Sequence, residues 1–124
     1  MDVLEEIAEA DLVFNDPCSW SEPFTGRERV QKVIEEYIVA YKSLNYDVES
    51  VVAEHDGSRV LAQWRAQAMH LGSFMGAPPS GRVENIAGMT SFHMTGDKIV
   101  RIDCFREGLV QERQGSHADF GIYE

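Results

Sequence analysis

From His70 to Arg82 the chain reads H-L-G-S-F-M-G-A-P-P-S-G-R, with three glycines and two prolines in the eleven residues that begin at Gly72. Proline removes a backbone donor and fixes its own φ. Neither a continuous helix nor a central strand can therefore run through this segment. It is a shaped loop between two stretches of another character, and its flanks decide the fold class.

Both flanks alternate. Before the loop, Val60, Ala62, Trp64, Ala66 and Ala68 fall on one face, with Gln63, Arg65 and Gln67 on the other. After it, a strand is predicted from about Val83 to Met94, then a Gly96-Asp97 turn of type II′, then a strand from about Lys98 to Arg106. A weaker alternation from Tyr46 to Glu54 leads into Asp56-Gly57, a two-residue hairpin signal. The second half is therefore read as an antiparallel meander.

The first half carries helical periodicity. Val30, Val33, Ile34, Tyr37, Ile38 and Tyr41 follow the i, i+3, i+4, i+7 rule, and Thr25 with Glu28 has capping-box spacing ahead of them. A shorter helix is predicted from about Val3 to Ala10, with Asp2 and Glu5 at its start and Leu4 and Ile7 as a narrow apolar face. Helices followed by a strand meander predict an α+β domain, with the helices packed on one side of a curved, mainly antiparallel sheet. At 124 residues, without a linker, repeat or low-complexity tract, residues 1–124 are read as a single domain.

Composition narrows the function classes. A net charge of -10 argues against nucleic acid and against anionic membrane surfaces, which require clustered Lys and Arg. No apolar run approaches the roughly 20 residues of a membrane span. The acidic start Met1-Asp2-Val3-Leu4-Glu5-Glu6 is unlike a secretion signal, so a cytoplasmic location is expected. Cys18 and Cys104 have no metal-type spacing and are read as reduced thiols, although two cysteines also allow a disulfide. No H-x-x-H or carboxylate–histidine spacing marks a metal site, and no glycine fingerprint marks a nucleotide, so neither metal nor cofactor is expected.

The loop, together with Phe14-Asn15-Asp16-Pro17, Pro23-Phe24-Thr25-Gly26-Arg27-Glu28 and Gly96-Asp97-Lys98-Ile99-Val100, resembles the SnoaL-like polyketide cyclases within the nuclear transport factor 2-like group. The resemblance implies a cone-shaped α+β fold around a pocket for a small, largely apolar organic ligand. It also implies a homodimer joined through the outer side of the sheet. Relatives usually begin with an additional long helix. This chain starts at what corresponds to their second one, so the cone is expected to be shortened, open at one end, or closed by another subunit.

The resemblance also nominates residues. In the family, K-I-V is followed by a tryptophan and, four residues later, by an acid/base aspartate. Those positions are Asp103 and Glu107 here, with Arg101 beside them. Strand spacing puts Ile99, Arg101, Asp103, Phe105 and Glu107 on one face and Val100, Ile102 and Cys104 on the other. Alternation alone makes the second face the inner one, with the charged face turned to solvent or an interface; the resemblance points the charged face into the pocket. With a two-residue turn at Gly96-Asp97, Phe92 is expected opposite Arg101 and Thr90 opposite Asp103, which leaves His93 on the Ile102 side; a one-residue slip reverses this.

Asn15, Trp20, Tyr37, Trp64, His70, Phe92 and Phe105 are the candidate ligand-binding residues, each also capable of being ordinary core or, for His70, a loop anchor. The leading expectation is a cofactor-independent enzyme in which Glu107 abstracts an acidic proton and the enolate attacks a second carbonyl. Isomerisation or epoxide hydration is the enzymatic alternative, the latter because the Asp103–Arg101–Glu107 cluster resembles, without matching residue by residue, the acid–arginine–acid arrangement of limonene epoxide hydrolases. A non-catalytic ligand-binding or dimerisation domain is the alternative from another class.

Overall fold

The computed structural model describes residues 3–70, 72, 78 and 81–107. Helix α1 (Val3–Ile7) leads directly into strand β1 (Ala8–Asn15); a two-residue strand β2 (Phe24–Thr25) precedes helix α2 (Arg27–Ala40). Four long strands follow: β3 (Tyr41–Ala53), β4 (Arg59–His70), β5 (Val83–Thr95) and β6 (Lys98–Arg106). They form one six-stranded curved sheet in the order β2-β1-β6-β5-β4-β3. Every pairing is antiparallel except β1 with β6.

The α+β class and the mainly antiparallel sheet agree with the sequence reading; several boundaries do not. The first helix is one turn rather than two, because Ala8, Leu12 and Phe14 bury their side chains in the sheet beside β6. Thr25 does not cap α2. It pairs with Val13 in β2, and Gly26 takes the cap position at φ 125°, a backbone conformation that favours glycine. Helix α2 stops at Ala40, and Tyr41, expected to be its last stripe residue, is already extended. The Asp2 cap, most of the glycine–proline loop and His117 lie outside the described residues. At the loop's ends, Gly72 N–H donates to Ala40 O at 3.0 Å, and Gly81 N–H donates to His70 O at 2.9 Å.

The consequential difference is in the β5–β6 hairpin. Thr95 pairs with Lys98 as expected, but the register shifts between His93 and Met94, so that Met94 faces Ile99 and His93 faces Arg101. Val100 is the extra residue of a bulge, and an extra residue reverses which side chains share a face beyond it. Phe92 therefore pairs with Ile102, Thr90 with Cys104 and Ser91 with Asp103. His93 joins Arg101 and Asp103, opposite to the unbulged register.

The hydrophobic core occupies the β1/β6 half of the molecule, where Leu4, Leu12, Phe14, Phe24, Val30, Val33, Ile99 and Ile102 pack together. Over the β3–β6 half the inner face is built differently. Ala62, Ala66 and Ala68 on β4 and Gly88 on β5 are too small to reach α2, so the space between sheet and helix stays open.

Candidate active site

That space is a part-open cavity of about 450 Å³, within the range of small-molecule sites. Helix α2 contributes Ile34, Tyr37 and Ile38, placed three and four residues apart on its inner stripe. The sheet contributes alternate residues: Ala62, Trp64, Ala66 and Ala68 from β4, Glu84, Ile86, Thr90 and Phe92 from β5, and Ile102, Cys104 and Arg106 from β6. Apolar atoms form nearly all of the wall.

The polar groups gather mainly at one end. Asp16, at the turn after β1, and Arg106, at the end of β6, form a buried ion pair with Nη2 2.9 Å from Oδ2. The Tyr37 hydroxyl accepts from Arg106 Nη2 at 2.9 Å and donates to Asp16 Oδ2 at 3.2 Å. Ser19 Oγ accepts from the same Nη2 at 2.8 Å and lies 2.8 Å from the Tyr37 hydroxyl. Asp16 is fixed locally as well: Cys18 N–H donates to its Oδ1 at 3.3 Å, while Ser19 and Trp20 N–H donate to its carbonyl. This is the Asx-type turn that the D-P-C-S segment favours.

Deeper in, Trp64 Nε1–H donates to Thr90 Oγ1 at 2.9 Å and Thr90 reaches Cys104 Sγ at 3.9 Å. Burial pushes the Cys104 thiol up to about 11, so it is protonated at neutral pH and is a poor nucleophile. Cys18 and Cys104 are not joined in a disulfide, and Cys18 Sγ donates to Arg106 O at 3.0 Å. Gly88 holds this wall flat: a Cβ there would lie 2.6 Å from Trp64 Cζ2 and 2.8 Å from Arg106 Cβ.

Three of the sequence-nominated ligand residues, Tyr37, Trp64 and Phe92, line the cavity. His70 is buried and stacks on Tyr41 with ring centroids 5.0 Å apart, so Tyr41 rather than His70 meets the cavity. Trp20 packs edge-on against Phe24 at 5.5 Å beside the core. Phe105 is 56% exposed on the outer face of the sheet.

The nominated acid/base group lies on that outer face too, where alternation without the family comparison had put it. Asp103 accepts from Arg101 Nε at 2.9 Å and Nη2 at 3.0 Å, and from Asn15 Nδ2 at 3.0 Å; His93 Nε2 is 3.5 Å away. Burial alone would raise the Asp103 carboxyl, but the hydrogen bonds from Arg101 and Asn15, with the charges of Arg101 and His93, outweigh it and hold it below the ordinary range. Glu107 is exposed and its Oε1 accepts from Ala87 N–H at 2.7 Å. Arg101, Asp103 and Glu107 are thus not among the residues that line the cavity, nor is Asn15, which donates to Asp103. The cavity carboxylate at the polar end is Asp16, quoted in the sequence only as part of a motif. Its neighbour in the D-P turn was legible; its partner Arg106, 90 residues away, was not.

Among the described residues no group of three or more His, Cys, Asp or Glu side chains is arranged to hold a metal ion. No helix among them is long and apolar enough to cross a membrane.

The fold recurs in solved structures. A protein from Jannaschia sp., provisionally designated a SnoaL-like polyketide cyclase, superposes with a TM-score of 0.78 at 23% identity, over 86% of this chain and 71% of that one. A SnoaL-like polyketide cyclase from Agrobacterium tumefaciens gives 0.70 at 19% identity, over 91% and 83%. AclR from Streptomyces galilaeus, provisionally designated a hydroxylase, gives 0.69 at 23% identity, over 86% and 67%. At such identities the likeness establishes the fold alone. No curated protein matches the chain in sequence. The sequence does match the profile of the SnoaL-like polyketide cyclases over residues 1–115, nearly its full length, and on that ground the chain belongs to the SnoaL-like polyketide cyclase family.

Proposed function

We propose that the cavity binds a small, largely apolar carbonyl compound and that Asp16 performs cofactor-independent acid/base chemistry on it. The observation that carries this reading is the Asp16–Arg106–Tyr37 network placed at one end of a largely apolar cavity. Asp16 takes a proton from the carbon beside the carbonyl. The electron pair moves into the carbonyl, and the Tyr37 hydroxyl, held in place by Arg106, turns its one proton from Asp16 Oδ2 to the developing enolate oxygen as the carboxylate becomes protonated. In a cyclisation the enolate carbon then bonds to a second carbonyl carbon of the same molecule, and the resulting alkoxide recovers the proton from Asp16. Membership in a cyclase family supports this direction, and the same carboxylate suits isomerisation. Epoxide hydration requires an acid and a base around a water, and the Arg101–Asp103 pair on the outer face does not supply them to the cavity.

A second reading has its own observation. Asp16 is only 2% exposed and already held by a guanidinium, a hydroxyl and a backbone N–H, the condition of a carboxylate that shapes a pocket without reacting in it. In that case the domain binds an apolar ligand without turnover. Hydrogen–deuterium exchange at the benzylic carbon of phenylacetone, followed by proton NMR in deuterium oxide, separates the two, because it needs only proton abstraction. Accelerated exchange that is lost in Asp16→Asn supports the enzyme; saturable binding without accelerated exchange supports the binding module.

For assembly we propose a homodimer through the outer sheet face. Met89 and Phe105, directly paired across β5 and β6, are 46% and 56% exposed there, and Val52 beside Leu61 adds to the same face. An exposed apolar patch of this kind on a sheet calls for cover.

A further inference from the structure

Tyr46 has no part in the chemistry proposed for Asp16, yet it lines the same cavity. On β3 it pairs directly with Ala66 of β4, so its side chain shares the inner face with the alanine floor. Its ring meets Trp64 edge-on, with centroids 5.1 Å apart. Ile38 and Val48 also line the cavity, and like Tyr46 they are about half exposed. These residues of α2 and β3 therefore mark where the cavity opens, whereas buried Asp16 and Arg106 form its closed end.

From the mouth the phenol reaches inward. Its hydroxyl lies close enough to Cys104, Arg106 and Asp16 to feel their charges, and burial is the main cause that pushes it above the ordinary tyrosine value. At neutral pH it is a protonated donor. Tyr37, Arg106, Thr90 and Trp64 spend their polar atoms on one another or on Asp16. The Tyr46 hydroxyl makes no hydrogen bond to any described residue. A hydroxyl drawn partly out of water without a protein partner is costly until something in the cavity accepts from it.

We infer that the Tyr46 hydroxyl donates to a second oxygen of the ligand, the carbonyl that the enolate attacks. The inference rests on the cavity being the ligand site and deepens that reading by naming the substrate class: compounds with two carbonyl groups on one apolar skeleton, one at Tyr37 and the other at Tyr46. As the enolate carbon bonds to the second carbonyl carbon, the π pair of that carbonyl moves onto its oxygen, where the Tyr46 hydrogen bond stabilises the developing charge. The proton that completes the alkoxide is the one Asp16 removed, so Tyr46 ends the cycle unchanged. Two tyrosines thus serve the two partners of the forming bond.

The test titrates the full chain by calorimetry with two ketones of one skeleton, hexanophenone and the diketone δ-oxohexanophenone. Tyr46→Phe removes a hydroxyl that holds nothing among the described residues, so the fold is expected to remain intact by circular dichroism. The variant is expected to weaken the diketone about three- to tenfold, the size of one hydrogen bond, and to change hexanophenone by no more than about twofold. Ring closure of the diketone to its hydroxycyclohexanone, followed by proton NMR at saturating concentration, should fall at least about tenfold in kcat, because the donor is worth most on the developing oxyanion. Equal weakening of both ketones, no weakening of the diketone, or closure at the wild-type kcat would overturn the inference while leaving the cavity and Asp16 in their proposed roles. Tyr46-dependent diketone binding without closure in the wild type would support the donor and overturn the acid/base reading. Failure of both ketones to bind would overturn both.

Discussion

Arg106 Nη2 lies 2.9 Å from Asp16 Oδ2, and neither side chain is more than 5% exposed. The pair joins the turn after β1 to the last residue of β6, closing one end of the cavity and supplying its polar groups. Removing one partner of a buried pair leaves an uncompensated charge, which commonly costs about 3–5 kcal/mol. Arg106→Ala is therefore expected to lower the midpoint of thermal unfolding by roughly 10–20 °C. Replacing both partners together should cost less than the sum of the single changes, since the stranded charge is gone; a double-mutant cycle by calorimetry checks this.

Gly88→Ala places a methyl group where Trp64 Cζ2 and Arg106 Cβ already approach within 2.6 and 2.8 Å. Overpacking of this sort costs about 1–3 kcal/mol. Because the methyl displaces the cavity wall itself, the variant should also bind an apolar ligand more weakly. Thermal unfolding and a ligand titration on the same preparation measure the two effects.

The outer-face Asp103 provides a pH signature. Its carboxyl is held below the ordinary range in the folded chain, so the stabilisation is present above the unfolded value of about 3.9 and is lost as pH falls through the folded value. Wild type is expected to lose stability steeply below about pH 4. Asp103→Asn, less stable at neutral pH, should show a shallower fall over that window. Unfolding midpoints from pH 7 to pH 2.5 for the two proteins measure the difference; parallel curves would argue against a specific role for Arg101 and Asn15.

Much of this architecture is legible in the sequence because it rests on short-range rules. The β4 alternation reports directly which side chains share a face, whereas the cavity was expected from the family resemblance alone; that Ala62, Ala66 and Ala68 line it is seen in the structure. The β5–β6 turn at Gly96 is equally local. What sequence spacing does not reveal is the bulge at Val100, which no glycine or proline announces and which reverses the pairing of Phe92 and His93. Thr25 shows the opposite failure: its capping signal is genuine, but pairing with Val13 takes precedence over it. Asp16 was hidden for a third reason. Its significance comes from contacts with Tyr37 and Arg106, which only the closed sheet brings together.

The outer face gives a prediction about assembly. Sedimentation at micromolar concentration is expected to show about twice the 14.0 kDa of one chain. Phe105→Glu, which introduces a charge opposite Met89, should give the monomer with its fold intact by circular dichroism. A wild-type monomer under the same conditions would contradict the dimer.

The most direct measurement compares two carboxylates in one assay. Deuterium exchange into phenylacetone is followed with wild type, Asp16→Asn and Glu107→Gln, each confirmed as folded, with Tyr37→Phe as a less disruptive probe of the same network. General-base catalysis commonly contributes ~10²–10⁴-fold. The expected result is a loss of at least about a hundredfold in Asp16→Asn, a smaller loss in Tyr37→Phe, and a rate within a few-fold of wild type in Glu107→Gln. Full exchange in Asp16→Asn together with its loss in Glu107→Gln would contradict the account and return the chemistry to the end of β6.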